Sequence, residues 1–181
     1  MLKGFKKDAK EFLKVFIPAF LFAWIITTFF IANAYVPTGS MIPTIMPESR
    51  LIGNRLAYKF GEEPKRGDVI IFIYPDDGKT YFVKRLIGEP GDVVEIIPNE
   101  SGDEYGYVRV NGERLNEPYL NEPMEVDSYQ KFEVPEDKYF FMGDNRNNSN
   151  DARYWENTYV DEDKIVAKVL FQYWNKFKTI K

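Results

Sequence analysis

The hydrophobic pattern opens with one uncharged run, residues 15–35 (VFIPAFLFAWIITTFFIANAY). At about 1.5 Å per helical residue this run reaches across a hydrocarbon layer of about 30 Å, which predicts a transmembrane helix. Pro18 near its start is tolerable there, because local adjustment in a membrane helix can satisfy the freed carbonyl. From Pro37 onward the pattern changes to short runs of β-branched and aromatic residues broken by Gly, Pro, Asn and Asp. Residues 68–74 (DVIIFIY) and 80–87 (TYFVKRLI) flank Pro75-Asp76-Asp77-Gly78, and that turn chemistry predicts a hairpin. Further strands are expected over 92–97, 105–110, 138–142 and 164–173. Asn111-Gly112, between VRV and ERL, is the strongest hairpin signal in the chain, since both residues tolerate positive φ. Residues 116–130, with Pro118 and Pro123, read as a loop, and beyond the apolar run helical character is confined to a short turn around residues 41–46. The expected organisation is a basic segment (1–14), an anchor (15–35) and a mainly β domain (36–181).

Charge orients this arrangement. Lys3, Lys6, Lys7, Lys10 and Lys14 precede the apolar run against Asp8 and Glu11, and no Lys or Arg follows it until Arg50. The positive-inside rule therefore puts the N-terminus in the cytoplasm and the β domain on the extracytoplasmic side. A cleaved signal peptide is the competing reading, because Ala32-Asn33-Ala34 has the small-x-small form of a cleavage site. The run is longer than the ~7 to 15 residues of a signal peptide's apolar region, which favours the anchor. With +3 on residues 1–14 and −4 overall, the rest of the chain carries −7, a surface that repels nucleic acid.

Composition then narrows the chemistry. The 181 residues include no His and no Cys. A Ser-His-Asp triad, a thiol nucleophile, disulfides and the usual nitrogen and sulfur ligands of zinc are thereby excluded, and neither a metal nor another cofactor is expected. A Ser or Thr activated by Lys, or a pair of carboxylates, remains open to a hydrolase.

Three stretches could carry such chemistry. Pro37-Thr38-Gly39-Ser40-Met41-Ile42-Pro43-Thr44 reads on composition as a linker leaving the bilayer. Gly39 beside Ser40, and the Thr38 hydroxyl two residues upstream, would equally suit a nucleophile with oxyanion donors. In the strand TYFVKRLI, alternation puts Lys84 on one face with Phe82 and Leu86, where burial would lower its pKa; a Lys snorkelling from a strand edge is the commoner case. The third stretch, Gly143 to Arg153, is dense in hydrogen-bonding groups and is either a solvated loop or a cross-linked network.

Taken together, these segments resemble the type I signal peptidases. The matching residues are Ser40-Met41 with Pro43-Thr44, Arg66-Gly67-Asp68-Val69, Lys84-Arg85 with Gly88, Pro90-Gly91-Asp92, and GDNR at 143–146 with Ser149, Asp151 and Arg153. Their order after one N-terminal apolar run also matches, in the compact single-anchor form. The resemblance implies a signal-peptidase-like antiparallel β domain in which Ser40 is the nucleophile and Lys84 the general base. It further implies an oxyanion hole from Ser40 N–H and the Thr38 hydroxyl, and Ser149 orienting Lys84. Arg85 with Asp144, Asp151 with Arg153, and Asn145 would form a supporting network. Preproteins with small residues at the first and third positions before the cut are the implied substrates, bound as an added strand against Val36, Pro37, Met41, Phe82 and Val83. The bilayer is the other implied partner, and the expected state is a monomer. Departures from the family pattern are Thr38 where Ser is frequent, Ala152 in place of a common Ser, and Glu156 after Trp155 where Gly is usual. Rival readings are a repressor-type self-cleaving module, which would need a DNA-binding domain or cleavable arm, and a catalytically dead tethered binding domain.

Overall fold

The computed structural model describes residues 2–98 and 105–180. Helix α1 (Leu2–Ile25) runs through Pro18 without a break and loosens into a π-helical turn at Ile26–Phe30, where the Thr27 hydroxyl donates back to Ala23 O (2.9 Å). The stretch Lys10–Phe30 has a mean hydropathy of 2.0 and no part of it is buried against the protein, so it is long and apolar enough to cross a membrane.

The helix ends five residues before the apolar run does. Strand β1 (Ile31–Val36) follows at once and pairs antiparallel with β2 (Ser49–Asn54), from Ile31 opposite Asn54 to Val36 opposite Ser49. The anchor expected over 15–35 is corrected at its C-terminal end. Residues 31–36 have a ladder to join, and Ala32 and Val36 are buried by joining it, so tertiary pairing overrides a helix that hydropathy alone would continue. Arg55 fastens the junction, its N–H donating to Phe30 O (3.0 Å) and its Nε to Ile31 O (3.2 Å).

The hairpin between β3 (Val69–Ile73) and β4 (Tyr81–Gly88) forms where the pattern puts it. Strands β5 (Val93–Ile97), β6 (Tyr107–Val110), β7 (Glu113–Arg114) and β8 (Gln130–Glu133) follow. The chain is completed by β9 (Lys138–Met142), β10 (Val160–Asp161), β11 (Ile165–Trp174) and β12 (Lys178–Thr179). All strand pairings among the described residues are antiparallel. One sheet has the order β1-β2-β11-β3-β4-β9-β10, with β12 on β11; the other has the order β7-β6-β5-β8. Asn111 and Gly112 turn β6 into β7 with φ of 52° and 83°, the pair of positive angles that such a tight hairpin requires. Residues 116–130 are largely loop, but Gln130 opens β8, a short strand absent from the expectation.

Alternation along the central strands serves two cores. Ile70, Phe72 and Leu86 pack into a cluster that includes Val94, Val108 and Phe140, joining the two sheets. Val69 and Ile71 point to the opposite face, against Leu51, Met41, Ile45 and Val169. Strand β4 borders both cores, and the site is built on it.

Candidate active site

After β1 the chain makes a tight turn, with Ile42 N–H on Gly39 O (3.1 Å) and Ile45 N–H on Met41 O (2.8 Å). Met41 and Ile45 are fully buried, and these two side chains pin the turn to the core. Glu48 N–H closes the loop on Val36 O (2.8 Å). Ser40 is thereby held against β4, where its Oγ and Lys84 Nζ are direct hydrogen-bond partners within a buried contact. Thr38 Oγ1 lies 3.5 Å from the same Oγ. The two stretches that sequence alone left ambiguous, a linker and a strand-edge lysine, meet side chain to side chain.

The environment of Lys84 decides its chemistry. The side chain is 4% exposed, with Nζ 5.6 Å from the centre of the Phe82 ring. That ring stacks on Tyr74 (centroids 4.3 Å apart) and meets Trp155 edge-on. Burial pushes the amine down to about 8, against the opposing pull of Asp151 and Asp144; Arg153 adds slightly to the lowering. Desolvation of the charged form outweighs the carboxylates because each carboxylate is already committed to an arginine.

Those commitments organise residues 143–153. Arg85 grips Asp144 in fork geometry, Nε to Oδ1 at 2.8 Å and Nη2 to Oδ2 at 2.7 Å. Thr44 Oγ1 donates to Asp144 Oδ2 and ties the turn after Ser40 to the same carboxylate. Arg153 holds Asp151 through Nε (2.8 Å) and Nη2 (2.9 Å), and Asp151 accepts from Gly143 N–H (2.9 Å). Asn145 donates its backbone N–H to Ser40 O (3.0 Å) and its side-chain amide to Gly39 O (3.0 Å). The stretch is a cross-linked network, not a solvated loop. Sequence reasoning named Thr44 and Arg146 within the matching motifs without giving either a role, and passed over Glu117, the carboxylate partner of Arg146, which arrives from the loop after β7. A buried Arg in an otherwise polar stretch has no pattern of its own, and an LNEP segment 29 residues away does not mark a partner.

Two expected placements differ. Ser149 lies near the Ser40 carbonyl, across Gly143, but its buried Oγ has no hydrogen-bond partner among the described residues, so the expected bond to Lys84 is not made. Ser149 packs instead against Gly143, where an added Cβ would collide with the Ser149 side chain and the Ser40 carbonyl. Met41, expected as a pocket wall, is in the core beneath the turn, because the turn directs it inward while Ser40 faces out. Val36, Pro37, Phe82 and Val83 do line a groove of about 430 Å³, together with Ser40 and Lys84; Asn148 and Asn150 also reach it. The groove runs between two strand edges. β1 pairs on one side with β2, and β4 takes up β9 only from Arg85 onward, which leaves its residues 81–84 paired to β3 alone.

A family model described as signal peptidase, peptidase S26, matches residues 9–174. A probable signal peptidase I-2 of Synechocystis sp. is 35% identical over 169 residues, covering 91% of this chain and 72% of that protein. The signal peptidase I of Leptolyngbya laminosa is 34% identical over 157 residues (82% of this chain, 71% of that one). A signal peptidase I P of Bacillus subtilis subsp. natto is 35% identical over 157 residues (82% and 80%). A solved signal peptidase I from Enterococcus faecalis aligns at 33% identity over 59% of this chain and 97% of its own, with a TM-score of 0.47.

Proposed function

The chain belongs to the peptidase S26 family of signal peptidases, and from that premise we propose that Ser40 is its nucleophile and Lys84 its general base in removing signal peptides from preproteins. The observation that carries this reading is the buried Oγ–Nζ contact between an amine lowered to about 8 and a hydroxyl held at the mouth of a groove. Neutral Lys84 takes the Ser40 proton as Oγ attacks the scissile carbonyl. The oxyanion forms against Ser40 N–H and the Thr38 hydroxyl. The Lys84 ammonium then returns the proton to the departing amine and leaves an acyl-enzyme. Lys84 next deprotonates a water that releases the acyl group.

The groove supports the substrate assignment. An extended peptide can add its backbone between the edges of β1 and β4, and the walls formed by Val36, Phe82 and Val83 leave room for small side chains at the first and third positions before the cut. Both dyad members come from one chain, in keeping with a monomer. The lysines that precede the apolar helix support an orientation with residues 1–14 in the cytoplasm and residues 36–181 outside. Nothing in this reading involves nucleic acid.

The test is cleavage of a preprotein with an Ala-x-Ala site in detergent by the wild type, Ser40→Ala and Lys84→Ala. Product is expected from the wild type alone, and persistent cleavage by Lys84→Ala at neutral pH would sink the dyad. Protease digestion of sealed inverted vesicles addresses topology, and degradation of the β domain there would reverse the orientation.

A further inference from the structure

The loop between β7 and β8 bonds the segment 143–153 in several places, Asn147 and Arg153 among them, and two of its residues bear on the part nearest Ser40. The Tyr119 ring lies over Arg85, its centre 3.9 Å from Cζ, while Arg85 holds Asp144. The Tyr119 hydroxyl donates to Glu117 Oε1 (2.8 Å), and Glu117 pairs with Arg146 through both carboxylate oxygens. Arg146 in turn donates Nε to Gly143 O (3.0 Å). One strap therefore grips the segment 143–146 at Gly143, Asp144 and Arg146. The residue left between them is Asn145, which holds the carbonyls of both Gly39 and Ser40.

A peptide group is planar and trans, so the Gly39 carbonyl and the Ser40 N–H lie in one plane and point in opposite directions. Fixing Gly39 O through Asn145 Nδ2 consequently sets the direction of Ser40 N–H, at a distance from the proton transfer itself. We propose that Glu117 and Tyr119 are positioning residues for the reaction, holding Asn145 through Arg146 and Arg85 so that Ser40 N–H aims at the developing oxyanion. This rests on the reading of Ser40 as nucleophile. Neither Glu117 nor Tyr119 is among the residues that line the groove beside Lys84. Loss of the strap should therefore appear in turnover and leave substrate binding and the amine alone.

Steady-state cleavage by the full chain in detergent tests this with Glu117→Gln and Tyr119→Phe, the second keeping the ring on Arg85 while removing the hydroxyl. Misaiming a donor by a fraction of an ångström is expected to lower kcat about tenfold, with KM within about twofold. The midpoint of the pH–rate profile stays where it is in the wild type. Combining either substitution with Asn145→Ala gives a variant no slower than Asn145→Ala alone, because the strap acts through that residue. Unchanged kcat in the variants that fold, a loss confined to KM, or losses that multiply with Asn145→Ala would each overturn the inference. Should Glu117→Gln not fold, Tyr119→Phe carries the same comparison. A wild type that fails to cleave, or a Ser40→Ala variant that still cleaves, overturns the functional reading and this inference with it; an active wild type with indifferent strap variants overturns the inference alone.

Discussion

At neutral pH an amine pushed down to about 8 by burial is still mostly protonated, and both its catalytic value and its cost to the fold follow from that position. Cleavage should rise close to tenfold per pH unit below about 8 and level off above it. Stability moves in the same direction for a separate reason. The folded amine titrates near 8 and the unfolded one near 10.5, so between those values the unfolded chain binds the extra proton and stability increases with pH. Below pH 8 the folded state carries a penalty on the order of 3 kcal/mol. Lys84→Met should abolish cleavage yet unfold at higher denaturant than the wild type at pH 7, with the gap closing as pH approaches 10.5. Denaturant melts across pH 6 to 10.5 check this, and a Met variant no more stable than the wild type at pH 7 refutes it. Much of this residue's character was readable beforehand, since alternation in TYFVKRLI put it beside Phe82 and Leu86. The roles of Glu117, Tyr119 and Arg146 were not, because they depend on two loops 29 residues apart closing on each other.

Among the elements, strands bounded by turn chemistry were legible and strands that adjoin something stronger were not. The β3–β4 hairpin and β9 stand between Pro, Gly and Asp signals. β1 is hidden in the tail of an apolar run whose hydropathy fits a helix as well as a strand, and only pairing with β2 distinguishes them. β2 itself (SRLIGN) carries its two large apolar residues, Leu51 and Ile52, side by side, which gives no alternation to declare a strand. The difference has a practical consequence for truncation. A chain beginning at Ile31 keeps the edge strand and is expected to fold without the helix. One beginning at Pro37, where the apolar run would suggest cutting, loses the burial of Ala32 and Val36 and the strand that leads to Ser40. Cooperative thermal unfolding in the first and its absence in the second is the expected contrast; equal melting of both would show that β1 is dispensable.

For the whole molecule, the proposed function brings an apolar helix and a groove to one kind of substrate, a preprotein whose own apolar segment enters a bilayer. Sharing a membrane converts encounter into a search over a surface, and effective concentration rises without any new contact. The chain beginning at Ile31 should therefore cleave a short water-soluble peptide at a rate within about threefold of the full chain, and a vesicle-embedded preprotein at least about tenfold more slowly. Rates on the two substrates in parallel check this. An equal loss on both would instead mean that the helix supports the site itself.

The junction at Phe30 and Ile31 makes that tether unusual. No slack polypeptide separates helix from sheet: the helix passes into β1 within one residue, and Arg55 bonds both carbonyls at the join. A force on the helix is thus borne by the six paired residues of β1 loaded in shear against β2, and passes to the turn bearing Ser40. Helices respond to a bilayer thinner or thicker than their apolar length by tilting. If the helix spans a bilayer and Ser40 is the nucleophile, such tilt would be carried along β1 to the turn that bears Ser40, and cleavage rate would vary with the thickness of the lipid.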